Sequence, residues 1–261
     1  MSQQDAARTS ALQRFLEHPR LLTVAFLAVA AACWGWVGAM ALDMYGTMQG
    51  ASAWMMTAHW DVTHRSLLFA MWVVMMIAMM LPSAAPMVIL YDRALRARAE
   101  PAANRRVCAL VAGYLGVWAL FSAAATLLQL ALADAMLLTP MMEPAAPIIA
   151  AGLLALAGVY QLTPLKRACL RACRSPLSFI LQHWRPGTAG AFRLGVDHGA
   201  YCLGCCWALM MLLFAGGVMN LVVIVALTLW VLVEKVLPLG EHTTRVSGVA
   251  LLALAAWSLI G

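Results

Sequence analysis

Soft metal ligands recur along one predicted helix. Four residues that can ligate a soft metal follow one another at intervals of four: His198, Cys202, Cys206 and Met210. Residues four apart lie on one face of a helix, and Cys205 borders that face. Thiolate, thioether and imidazole ligands together favour copper(I), with zinc(II) as the alternative. Buried cysteine also serves as a small hydrophobic residue, so packing alone is the other interpretation.

A methionine-rich stretch precedes this helix in the chain. Met71, Met75 and Met79 recur every four residues, and Met76 and Met80 belong to an adjacent column. Thioethers suit copper(I) and are poor ligands for magnesium or calcium. We therefore predict Met75 and Met79 as ligands of a site shared with the cysteine helix. Methionine also fills irregular gaps in apolar cores, which is the alternative.

Two further cysteines, Cys169 and Cys173, lie in a basic segment between apolar stretches. They are one turn apart if the segment is helical. Cysteine pairs in a reducing cytosol more often bind metal or undergo redox chemistry than form structural disulfides. We interpret the pair as a release or acceptor site for the metal. The alternative is a basic interfacial helix with two incidental cysteines.

An acidic residue, Glu234, stands beside Lys235 within a later apolar stretch. Ionisable groups inside a membrane span are costly and suggest function. Adjacent residues on a helix point in different directions, so these two should pair poorly with each other. We predict Glu234 as a metal ligand, a partner of His198 or a proton acceptor. Alternatively, Lys235 extends to the headgroups and Glu234 pairs with an arginine.

The composition predicts an all-α, polytopic transmembrane helical bundle. Hydrophobic residues make up 64% of the chain and charged residues 11%, against roughly 25% charged in average proteins. A spanning helix needs about 20 apolar residues. We predict a cytoplasmic tail at 1–19 and a single transmembrane domain at 20–261. The seven expected spans are 21–42, 67–90, 107–133, 147–165, 198–216, 221–237 and 246–260. Since the last is short, it could lie at the interface, which would leave six.

The distribution of positive charge predicts the orientation. With the N-terminus in the cytoplasm, every Lys and Arg except Arg65 falls on the cytoplasmic side of the predicted spans. This asymmetry is typical of multi-pass proteins of the bacterial inner membrane. It also explains the net positive charge, so we expect the lipid bilayer and no nucleic acid as a partner.

Several motifs occur in a fixed order between about residues 60 and 238. They read Trp72-Val-Val-Met75-Met76-Ile-Ala-Met79-Met80-Leu-Pro82, Tyr160-Gln-Leu-Thr-Pro-Leu-Lys166, Gly199-Ala-Tyr-Cys-Leu-Gly-Cys-Cys-Trp207, Gly217-Val-Met-Asn220 and Glu234-Lys235. Together they resemble a bacterial family of predicted metal-binding integral membrane proteins, a domain of unknown function. The resemblance implies a multi-span inner-membrane fold and a role in metal binding, but no mechanism.

Three function classes fit these features. The first is a membrane protein that binds copper for transport, buffering or delivery, with a metallochaperone or a partner membrane protein receiving or supplying the ion. The second is a membrane redox enzyme that uses thiols or a quinone. The third is a non-catalytic assembly subunit, in which Gly195, Gly199 and Gly204 allow close helix packing.

Overall fold

The fold is built entirely from α-helices in the part of the chain that the computed structural model describes, namely residues 19–44, 46, 61–139, 142, 144–237 and 242–260. Within these ranges there is no strand, only an isolated bridge between Leu138 and Pro144. The helices are α1 (Pro19–Met44), α2 (Val62–Ala97), α3 (Ala103–Asp134), α4 (Pro147–Leu162), α5 (Pro164–Arg174), α6 (Pro176–His183), α7 (Gly187–Met211), α8 (Leu213–Gly216), α9 (Leu221–Val236) and α10 (His242–Ile260). The predicted all-α class is confirmed, whereas the predicted tail lies almost wholly outside the described residues.

Fewer helices than the predicted seven are long and apolar enough to cross a membrane. Five of those described qualify, and a sixth does if α4 and α5 form one bent span. The shortfall lies in α9, whose 16 residues extend only about 24 Å, less than the roughly 30 Å of the hydrocarbon core. The last apolar stretch, which seemed short in sequence, begins earlier as α10 and qualifies with 19 residues.

Helix α2 carries most of the buried methionines. The Asp61 carboxylate caps its N-terminus by accepting the His64 amide N–H at 2.8 Å, and the helix continues through Pro82 and Pro86. The indole N–H of Trp72 donates to the side-chain oxygen of Gln129 at 2.6 Å, tying α2 to α3. This buried bond fixes the rotation of α2, so its methionine face is directed into the bundle.

Helices α3 and α7 cross with their backbones in contact. A Cβ on Gly113 would overlap the Phe192 carbonyl, and one on Gly195 would overlap the Leu110 carbonyl. Only glycine leaves room for such an approach. The close packing predicted for Gly195 is therefore present, and it places the cysteine-bearing half of α7 beside Tyr114 of α3.

A sharp bend separates α4 from α5. The two axes differ by 67°, because Pro164 supplies no backbone N–H and Thr163 caps the new helix by accepting the Lys166 N–H at 3.2 Å. Helix α5 consequently leaves the line of α4 and packs against α7. The basic segment that carries Cys169 and Cys173 is thus helical, as α5, and α6 follows it.

Candidate metal site

Three thiols are buried together on α7. Cys202, Cys205 and Cys206 are each only 1% exposed. The thiols of Cys205 and Cys206 donate to the Cys202 carbonyl at 3.0 and 2.9 Å. Their helical spacing keeps them on adjoining faces, so each can contact a different neighbouring helix.

Helix α2 contributes a thioether to this group. The Sγ of Cys206 lies 4.0 Å from the Sδ of Met80. The Tyr114 hydroxyl of α3 joins the same two helices, since it donates to the Met80 carbonyl at 3.1 Å and lies 3.1 Å from the Sγ of Cys202. Thiol and thioether sulfurs from separate helices are therefore fixed side by side.

Helix α5 contributes a second sulfur pair. The Sγ atoms of Cys173 and Cys205 lie 3.9 Å apart. Cys169, one turn earlier, faces the α7 backbone, where a Cβ on Gly204 would come within 2.8 Å of its Sγ. The predicted helical spacing of Cys169 and Cys173 is present, and the structure places Cys173 against the Cys205 thiol and Cys169 against the α7 backbone at Gly204.

A buried ammonium group adjoins the thiols. The Nζ of Lys235, on α9, lies 3.0 Å from the Sγ of Cys202 and 2.9 Å from the Ser83 hydroxyl. Among the described residues it has no carboxylate partner. The alternative in which Lys235 extends to the headgroups is therefore wrong, because its side chain is directed into the bundle.

Glu234 points away from the thiols into a separate polar network. Its carboxylate accepts from Lys166 at 2.6 Å, Gln161 at 2.7 Å and Trp230 at 3.0 Å. Lys166 also donates to the Cys205 carbonyl. The expectation that Glu234 and Lys235 do not pair with each other is met, because they serve different partners. The predicted link from Glu234 to His198 is not among the described contacts.

The sulfurs of Cys202, Cys205, Cys206, Met80 and Cys173 are called the sulfur cluster below. The ring of Tyr114 lies between His198 and this cluster. It is 4% exposed and stacks on Tyr114 with 5.7 Å between ring centroids. Its Nδ1 atom has no hydrogen-bond partner within the described part of the chain. A buried imidazole nitrogen without a partner is costly unless a ligand can reach it.

One comparison with known proteins gives a match. The family model described as a copper chaperone, PpoB2, matches residues 69–258, more than two thirds of the chain. The chain belongs to this copper chaperone family. No curated protein and no solved structure matches it. The matched range contains the residues of the sulfur cluster, so the donor set of the chain is compared below with the ligand preferences of copper.

The donor set suits copper(I). Metal–thiolate bonds measure about 2.3 Å, so two sulfurs that share one ion lie roughly 3.8–4.6 Å apart. The Cys206–Met80 and Cys173–Cys205 separations of 4.0 and 3.9 Å fall within this range. In the described ranges, no group of three or more His, Cys, Asp and Glu side chains is arranged around a common metal position. The two sulfur pairs are therefore the candidate positions for a metal ion.

The three methionines predicted as ligands lie outside the two sulfur pairs. Met75, Met79 and Met210 are buried in the same hydrophobic cluster as the cysteines. Yet no described thiol donates to their sulfurs, whereas Cys206 donates to Met80. A role for these three methionines stays a prediction.

Sequence reasoning missed three contributors to the cluster. The sequence places Met80 only in a methionine column, suggests for Lys235 only an extension to the lipid headgroups, and gives no indication of Tyr114. Met80 could have been found from its place just before Pro82, in the same motif as the other methionines. Nothing in the local sequence indicates Tyr114, because it meets the site only through the crossing of α3 and α7.

Proposed function

We propose that this member of the copper chaperone family is a multi-pass protein of the bacterial inner membrane that binds copper(I) within its helical bundle and delivers it to a partner. The observation that carries the proposal is the buried contact between Cys206 and Met80, a thiol and a thioether from different helices. Soft sulfur donors select copper(I) from the common cellular metals.

Two sulfur pairs suggest a route for delivery. We assign Cys202, Cys206 and Met80 to the holding site, with His198 nearby. We assign Cys205 and Cys173 to release, because Cys205 lies on the helix of the holding site and Cys173 is half-buried rather than fully enclosed. Movement between weak, adjacent sites lets an ion leave as readily as it enters.

The decisive experiment measures copper per chain in protein purified in detergent and loaded under reducing conditions. Wild type should retain copper(I), and a Cys202, Cys205 and Cys206 triple serine variant should lose it. The matched control replaces Cys33 and Cys108, which are free cysteines outside the cluster, and should bind as wild type does. A folded wild type that retains no copper would contradict the proposal.

Orientation is proposed from the charge asymmetry, with the N-terminus in the cytoplasm. Ala135 follows α3 and Arg105 lies at its other end, and both are exposed. A membrane-impermeant thiol reagent should label an Ala135→Cys variant in intact spheroplasts, and an Arg105→Cys variant only after lysis. The reverse pattern would invert the topology.

A thiol redox function is the second candidate. The observation that favours it is the 3.9 Å separation of the Cys173 and Cys205 sulfurs. A redox enzyme would cycle these thiols during turnover with a quinone, whereas a chaperone would keep them reduced while copper is bound. Quantifying free thiols before and after copper transfer to a chelator distinguishes the two.

A further inference from the structure

The bundle contains two buried lysines that differ in their counter-charge. Lys166 is paired with the Glu234 carboxylate at 2.6 Å. Lys235 contacts the Sγ of Cys202 and the hydroxyl of Ser83, and no described carboxylate. An unpaired charge in a protein interior is strongly destabilising, and within the described residues the group beside Lys235 that can become an anion to balance it is the thiol of Cys202.

We propose that Lys235 is the fixed counter-cation of the metal site and makes it selective for a monovalent soft ion. This inference rests on the proposed function, because it assigns the charge of the cargo bound by the same cysteines. Two thiolates and one copper(I) ion carry one net negative charge, which the ammonium of Lys235 balances. Two thiolates and one zinc(II) ion are already neutral, so the ammonium leaves an uncompensated positive charge.

The distances make this effect large. An ion held by Cys202 lies no further from the ammonium than the 3.0 Å contact plus one metal–sulfur bond of about 2.3 Å. Repulsion from the ammonium is twice as strong for a divalent ion as for a monovalent one. At this range and an effective dielectric constant near 20, the difference corresponds to a preference on the order of 100-fold.

Other charges do not cancel that of Lys235. Glu234 is the adjacent residue, but its carboxylate is directed to Lys166, Gln161 and Trp230. The titratable groups near the ammonium include the Tyr114 hydroxyl, the other α7 thiols, the His198 imidazole and the Cys173 thiol. Helix α9 therefore has the neutral Lys166–Glu234 ion pair on one side and the Lys235 cation on the other.

The test is a competition between copper(I) and zinc(II) for the full-length purified chain, measured as the ratio of their dissociation constants. Lys235→Met should reduce the preference for copper(I) on the order of 100-fold, and Lys235→Arg should keep most of it. Thr228→Val is the matched control, because Thr228 lies buried on the same helix with its hydroxyl bonded to the Ile224 carbonyl. It should leave the ratio unchanged.

A second measurement does not depend on the folding of a variant. The silver(I) to cadmium(II) selectivity of wild type is compared with that of dithiothreitol, a dithiol without an ammonium group, and should be greater. Equal selectivity, or a folded Lys235→Met protein with the wild-type ratio, would overturn the role of Lys235. Failure of wild type to bind copper would instead contradict the proposed function.

Discussion

Lys166 and Glu234 form an ion pair of 2.6 Å between α5 and α9, with both side chains almost fully enclosed. The pair adjoins the sulfur cluster, since Lys166 also donates to the Cys205 carbonyl. Arg174 reinforces the junction by donating to the backbone carbonyl of Glu234 at 2.6 Å. The polar network thus holds α5 and α9, which supply Cys173 and Lys235, against α7.

Removing one member of this ion pair should destabilise the bundle. Lys166→Met or Glu234→Gln should each cost about 3–5 kcal/mol of the free energy of unfolding, because the other charge remains buried without a partner. The Lys166→Met and Glu234→Gln double variant should recover much of that loss. Equilibrium unfolding in detergent measures each value, and additive losses would contradict the assignment of the pair.

The thioether of Met80 should contribute more to copper binding than that of Met79. Met80→Leu preserves side-chain volume while removing the sulfur 4.0 Å from Cys206, so stability should change little. Copper(I) affinity should fall about tenfold, which is roughly 1.4 kcal/mol. Met79→Leu and Met75→Leu are the matched controls on α2. Equal losses in all three variants would instead support a continuous methionine site.

The packing of α5 on α7 should be sensitive to one methyl group. Gly204→Ala places a Cβ about 2.8 Å from the Cys169 sulfur, so the Cys169 side chain or α5 must move, at a cost of about 1–3 kcal/mol. The control is Gly152→Ala on α4, where a Cβ meets no atom within 4 Å and alanine should stabilise the helix by about 0.5–1 kcal/mol. Thermal unfolding compares the two, and equal stability would place Cys169 elsewhere.

Mild oxidation should link Cys173 to Cys205. Their sulfurs are 3.9 Å apart and need to approach to about 2.05 Å to form a bond. A variant that retains only these two cysteines should give an intramolecular disulfide, detected by mass spectrometry after proteolysis. A variant that retains only Cys108 and Cys205 should not. Absence of the Cys173–Cys205 bond would mean that α5 does not pack on α7 in this way.

The sequence by itself determined the helical class and the chemistry of the ligands. Low charge and long apolar runs predict helices, because a helix satisfies its own backbone hydrogen bonds without water. The spacing of Cys202 and Cys206 places them on one face whatever the surroundings. The different directions of the Glu234 and Lys235 side chains follow from the same helical geometry, and the structure agrees.

The tertiary structure decided which residues meet and how many helices are long enough to cross. The Cys206 thiol donates to the sulfur of Met80 rather than to that of Met79, because the rotation of α2 depends on its packing against α3 and not on its own periodicity. The bend at Pro164 brings Cys173 to Cys205. Lys235 is directed to Cys202 because α9 ends beside α7. Such contacts join residues distant in sequence, so local spacing carries no information about them.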